Sequence, residues 1–131
     1  MYTDKTVLIT GTSKGVGYNL AEYFLKNHAT VIGLSRRKEG PVGVDIWPCD
    51  LERSETISDT FQFIRQQHPV IDIVINNAAV LTSQYFLKMF TDDIERMVKT
   101  DFLAPFIVIK ECMKLMKLTS SGRIVNISSM A

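Results

Sequence analysis

The sequence has little of what would place it outside ordinary globular chemistry. It holds two cysteines, one tryptophan and four prolines among 131 residues. Cys49 and Cys112 stand far apart, and neither shares a short metal-ligand spacing with His28 or His68, so a zinc site or a disulfide framework is not expected. Free, buried thiols in a reducing cytoplasm are the expected state. Charge of one sign is also lacking. Fifteen Lys plus Arg against fourteen Asp plus Glu leave a formal charge of +1, no electrostatic footprint for a nucleic acid or a membrane surface. Nor is there a long apolar run: the stretch TVLIT near the N-terminus is too short for a signal peptide, and no window approaches the roughly 20 residues of a membrane span. One unit over residues 1–131, in a cytoplasmic protein, is the expectation.

What is present is a regular alternation. Short Val- and Ile-rich runs recur as TVLIT from Thr6, TVIGL from Thr30, VDIWP from Val44, DIVIN from Asp72 and RIVNI from Arg123. Most do not alternate apolar with polar, the pattern of strands covered on both faces. Between them, Val16, Leu20 and Phe24 repeat every fourth residue, and Ile57, Phe61 and Ile64 at four then three, each marking one face of a helix. Strand then helix, repeated, predicts an α/β fold: a parallel sheet with helices on both faces. A longer helical region runs from the acidic start Thr91-Asp92-Asp93 to about Leu118, with Pro105 as a kink or junction. There Phe102, Phe106, Ile109, Met113 and Met116 project on one stripe, with Val108, Cys112 and Leu115 on the adjoining flank. That arc is wider than one core contact needs, so a second contact, with a partner chain, is expected along Phe102 to Leu118. Gly122 is placed to cap the end of this helix.

Directly after the first strand comes TGTSKGVG, Thr10 to Gly17, followed at once by a helix. Glycines at 11, 15 and 17 allow a tight turn and close backbone approach, and the helix N-terminus offers free N–H groups and a positive dipole end to an anion. A pyrophosphate is the natural ligand. The loop does not match the Gly-x-x-x-x-Gly-Lys-Ser/Thr pattern of triphosphate sites, since Val stands at 16, and it differs from the Gly-x-Gly-x-x-Gly spacing. The second strand ends in Ser35, Arg36 and Arg37 with no acid. At this point of a dinucleotide fold an acid holds a free ribose 2′-hydroxyl and a base suits a 2′-phosphate, so NADP(H) is the expected cofactor.

These residues resemble the short-chain dehydrogenase/reductase family, nicotinamide-dependent oxidoreductases with a Rossmann fold. TGTSKGVG is similar to the family's TGxxxGxG, CDL at Cys49 to Leu51 to its adenine-contacting Asp, NNAA at Asn76 to Ala79 to its NNAG, and GRIVNISS to its fifth strand and catalytic serine. The resemblance implies cofactor contacts at Gly11, Ser13, Lys14, Gly15, Val16 and Gly17, a phosphorylated-ribose pocket at Ser35 and Arg36, and adenine contact at Asp50 and Leu51. It implies further that Asn77 and Ala78 line the cofactor ribose, that Ile127 approaches the nicotinamide, and that Ser129 orients the substrate. The long helix would be the one many members use to dimerise.

Two departures stand out. Ala79 replaces the last glycine of NNAG, a mild change where φ stays negative. Asp101 stands where the family usually carries Asn, whose main-chain carbonyl holds a proton-relay water; Asp would keep that carbonyl and lose the amide donor. The family's YxxxK pair, proton donor and pKa-lowering cation, lies about a dozen residues past the serine, and these residues do not contain it. The resemblance therefore implies a five-stranded Rossmann sheet in the order 3-2-1-4-5, truncated after its fifth strand and inactive alone. The alternative is a non-catalytic dinucleotide-binding or interaction protein. The fifth strand would be an exposed edge, a second route to a homo-oligomer.

Overall fold

The computed structural model describes residues 1–79, 86–116 and 121–127. Five strands form one parallel sheet: β1 (Thr6–Thr10), β2 (Thr30–Ser35), β3 (Asp45–Pro48), β4 (Ile73–Asn76) and β5 (Arg123–Asn126), in the order β3-β2-β1-β4-β5. The expected runs match within a residue at each end. Val7 of β1 lies opposite Val31 of β2 and Ile73 of β4, and Ile75 of β4 lies opposite Val125 of β5.

Because successive strand residues point to opposite faces, β1 feeds two cores. Val7 and Ile9, with Val31 and Ile75, pack under α1 (Gly15–Lys26), which contributes Ala21 and Phe24. Leu8, Ile32, Leu34 and Val74 form the other core with Ile57, Phe61 and Ile64 of α2 (Ser54–Gln67) and Ala104, Val108, Cys112 and Leu115 of α4 (Ala104–Met116). Strands buried on both faces need apolar residues at every position, which explains the missing alternation in their sequence.

The α1 stripe is displaced from the expected one. Gly17, Ala21 and Phe24 face inward, whereas Val16 is exposed. The reason lies in the first turn, where a side chain at 17 would run into the Gly11 carbonyl and the Asn77 side chain, so the small residue turns in and Val16 turns out. Gly122 is corrected too: its φ is not positive, so it is not a left-handed helix cap.

The long helical region is one continuous run of three parts. α3 (Thr91–Met97) passes into a π-helical turn over Val98–Leu103, which passes into α4. Pro105, with no N–H, sits in the first turn of α4 where an α-helical bond back to Asp101 cannot form, and the Ala104 N–H reaches Lys99 instead. The core takes the flank of Val108, Cys112 and Leu115, while Phe102, Phe106 and Met113 lie more than half exposed. Burial pushes both thiols up, Cys112 the more strongly, and at Cys49 hydrogen bonds to Thr60 and Thr56 oppose the rise. At the far end of the sheet His68, just past α2, pairs its Nε2 with Asp45 Oδ2 at 2.7 Å, and Trp47 Nε1 donates to the same oxygen at 3.0 Å.

Two substitutions on α4 separate its faces. Val108→Ala removes a fully buried side chain and is expected to cost about 2–3 kcal/mol in urea denaturation. Met113→Ala should stay within about 0.5 kcal/mol of the parent, and an equal loss there would contradict the assigned orientation.

Candidate functional site

With this strand order the chain leaves β1 toward β2 and β3 on one side, and β4 and β5 lie on the other. The carboxyl ends of β1 and β4 therefore flank a crevice where neighbouring connections diverge, the place open α/β sheets use for ligands. The residues expected to bind gather around it.

Thr10, 2% exposed at the end of β1, is the hub. Its Oγ1 accepts the N–H groups of Asn77 at 3.0 Å and Ala78 at 2.9 Å, so one hydroxyl satisfies two donors past the end of β4. Asn77 answers by donating Nδ2 to the carbonyls of Thr10 and Gly11, both at 3.2 Å. Gly11 takes φ +74° and Gly15 φ +64°, turning the chain through left-handed backbone that other residues adopt at a cost. A side chain at Gly17 would overlap the Gly11 carbonyl, so α1 begins directly against the loop.

The start of α1 is open to a ligand. Lys14 is its N-cap and makes no side-chain cap hydrogen bond, the first turn holds no acid, and nothing lies within 4 Å of the space beside Gly15. Lys14, Gly15 and Val16 are exposed and Ser13 half-buried. Unspent N–H groups and the positive helix end thus face the crevice, a fit for a pyrophosphate.

The β2 and β3 ends complete this side. The Gly11 N–H donates to the Leu34 carbonyl at 2.8 Å, which sets the glycine loop against the buried Ser35 and the exposed Arg36 and Arg37. The Cys49 N–H donates to the Ser35 carbonyl at 2.8 Å, and the next residue, Asp50, accepts the Glu52 N–H on Oδ1 at 3.0 Å. Leu51 packs half-buried on the α2 core.

On the other side, Asn76 Nδ2 donates to Asn126 Oδ1 at 3.0 Å and the Ile127 N–H to the Asn76 carbonyl at 3.0 Å. Ile127 is exposed at the end of β5. Ser129 lies outside the described residues. Asp101 is exposed within the π turn, beside the buried Thr100. Ala79 keeps a negative φ, as the substitution for glycine requires. Among the described residues no three His, Cys, Asp or Glu side chains gather as a metal site, and no helix is long and apolar enough to cross a membrane. An apolar depression lined by Phe106, Ile109 and Met113 lies on the outer face of α4, away from the crevice.

Sequence reasoning missed two participants. The glycine motif marks Thr10 only as its edge, although a buried hydroxyl is in most cases hydrogen-bonded. Glu52, whose carboxylate accepts Arg96 Nε at 2.7 Å across 44 positions, carried no local signal.

A five-stranded parallel sheet in the order β3-β2-β1-β4-β5, with helices around it and a glycine turn at its switch point, defines a Rossmann-type fold. The chain belongs to the short-chain dehydrogenase family, whose model matches residues 5–131. It is 31% identical to an uncharacterized oxidoreductase of Bacillus subtilis, YxjF, over 95% of this chain and 53% of the relative. Ligand-free aldohexose dehydrogenase (AldT) of Thermoplasma acidophilum superposes with a TM-score of 0.91 at 26% identity, covering 98% of this chain and 50% of that one. A variant of ElxO with NADPH bound gives 0.84 at 30% identity, covering 96% and 56%. The chain thus spans about half the length of the relatives it matches.

Thr10→Val keeps the shape at the hub and removes the acceptor of both N–H groups. A loss of about 1–3 kcal/mol is expected, with faster hydrogen exchange at the Asn77 and Ala78 amides, while Thr10→Ser retains protection. Unchanged exchange in the Val variant would show that Thr10 does not hold the crevice together.

Proposed function

We propose that this chain is the NADP(H)-binding portion of a short-chain dehydrogenase/reductase oxidoreductase. The observation that carries the reading is the contact of the glycine loop with the end of β2, where Gly11 meets Leu34 and the residues that follow are Ser35, Arg36 and Arg37, without an acid. Family membership supports a nicotinamide cofactor, and the likeness to a protein with NADPH bound supports the phosphorylated form. Gly11, Ser13, Lys14, Gly15, Val16 and Gly17 would hold the pyrophosphate, Ser35 and Arg36 the 2′-phosphate, Asp50 and Leu51 the adenine, and Asn77 and Ala78 the ribose. Ile127 would border the nicotinamide. When bound, the cofactor supplies a hydride to a carbonyl carbon or takes one from an alcohol.

Ser129 would orient the substrate and the Asp101 carbonyl would hold a relay water. Hydride transfer also needs a proton delivered to the developing alkoxide, and these residues contain no Tyr-x-x-x-Lys pair to deliver it. The chain by itself is therefore proposed to bind cofactor without turnover. The exposed Phe102, Phe106 and Met113 side chains support self-association through α4, in a cytoplasmic protein.

NADPH fluorescence titration should saturate. Arg36→Ala should weaken NADPH roughly ten-fold or more through loss of a charge-assisted contact while leaving NADH unchanged. Absence of saturable binding would sink the cofactor reading, and sustained NADPH oxidation with a carbonyl substrate would sink the non-turnover part. Light scattering at micromolar concentration should report a species larger than a monomer, reduced to the monomer by Phe106→Glu. A monomeric parent chain would remove the association surface.

A further inference from the structure

α3 is attached to the body in an unusual way. None of its residues is buried, so core packing does not fix it. Among the described residues it continues directly into the π turn, and Arg96 ties it to the body: its Nε donates to Glu52 Oε1 at 2.7 Å. The pair is partly shielded, with the side chains 29% exposed at Glu52 and 46% at Arg96. One turn further along, Lys99 acts on Glu55, whose carboxyl is lowered first by a backbone hydrogen bond at Glu55 itself and also by Arg53 and Lys99. At the entry to α2, Glu52 thus pairs with Arg96 of α3, while Glu55 accepts Arg53 Nε at 3.2 Å.

The backbone of Glu52 has a second task. Its N–H donates to Asp50 Oδ1 at 3.0 Å, while the Asp50 carbonyl accepts the Arg53 N–H at 3.0 Å and Thr56 Oγ1 at 2.8 Å. Asp50 is thereby held by its carboxylate and its carbonyl, and the residue that holds its carboxylate is itself held by Arg96. We infer that Glu52 and Arg96 are positioning residues that tie the Asp50 loop to the helix leading to Asp101, so that ligand binding at Asp50 and docking of α3 reinforce each other. Such coupling is reciprocal by necessity. The inference rests on the proposed binding of NADP(H) for its affinity arm alone.

The test uses the full chain and NADPH, with far-UV circular dichroism confirming that each variant is folded. Arg96→Ala and Glu52→Gln should each weaken NADPH about two- to five-fold, the range for a partly exposed ion pair, and the second substitution should add nothing to the first. The swap E52R/R96E should recover most of the loss, which a generally loosened structure would not do. Hydrogen exchange without cofactor supplies the independent arm: the Glu52 and Arg53 amides should exchange faster in Arg96→Ala and return toward the parent in the swap. Unchanged exchange overturns the inference even if the parent binds no NADPH, and that failure of binding would be charged to the functional reading alone. Additive losses, or changed exchange with unchanged affinity in a chain that binds NADPH, overturn it as well.

Discussion

The crevice depends on one side-chain oxygen. β1 and β4 are neighbours in the sheet, but their chains diverge at the carboxyl ends, and backbone pairing alone would leave the Asn77 and Ala78 N–H groups unpaired. Thr10 Oγ1 supplies the acceptor for both. Asn77 then closes the circuit onto the Thr10 and Gly11 carbonyls, and Gly17 fits against Gly11 because it has no side chain. Loop, strand end and helix start are locked as one object, which leaves the first N–H groups of α1 pointing to where an anion can use them. A valine in place of Thr10 would keep its shape while leaving the Asn77 and Ala78 N–H groups without this acceptor.

Much of the fold was legible in the sequence because burial writes itself into composition. Strands covered on both faces must be apolar throughout, and β1, β2 and β4 announced themselves by that rule. Ile57, Phe61 and Ile64 did the same for α2. Other features lie in what periodicity leaves undetermined. An apolar stripe shows that a surface wants covering but not by what: of the broad arc along the π turn and α4, the core takes the flank of Val108 and Cys112 and leaves Phe102, Phe106 and Met113 exposed. On α1 the glycine at 17, not the larger Val16, turns inward because close approach outweighs apolar area at that single turn.

The site shows the same division. Glycines at positive φ, a strand end without acid and the NNAA turn are local facts, and each was readable from a few adjacent residues. Thr10 with Asn77 and Ala78, or Glu52 with Arg96, join positions more than 40 apart, and polar pairs of that span leave no period in a single sequence. What such pairs do is convert correct elements into correct distances, a property that only the folded chain displays.

The two halves of the crevice are not equally supported. On the β1 and β2 side, every strand residue from Val7 to Thr10 and from Val31 to Ser35 is buried, and the ends are cross-tied at Gly11, Ser35 and Cys49. On the β5 side all four strand residues are exposed, and the register rests on pairing with β4 and on the amide contact of Asn76 with Asn126. Local opening is least costly where buried apolar contact is least, and that contact is least at β5. Under the proposed function, the pyrophosphate and adenosine would lie on this cross-tied side and the nicotinamide near Ile127.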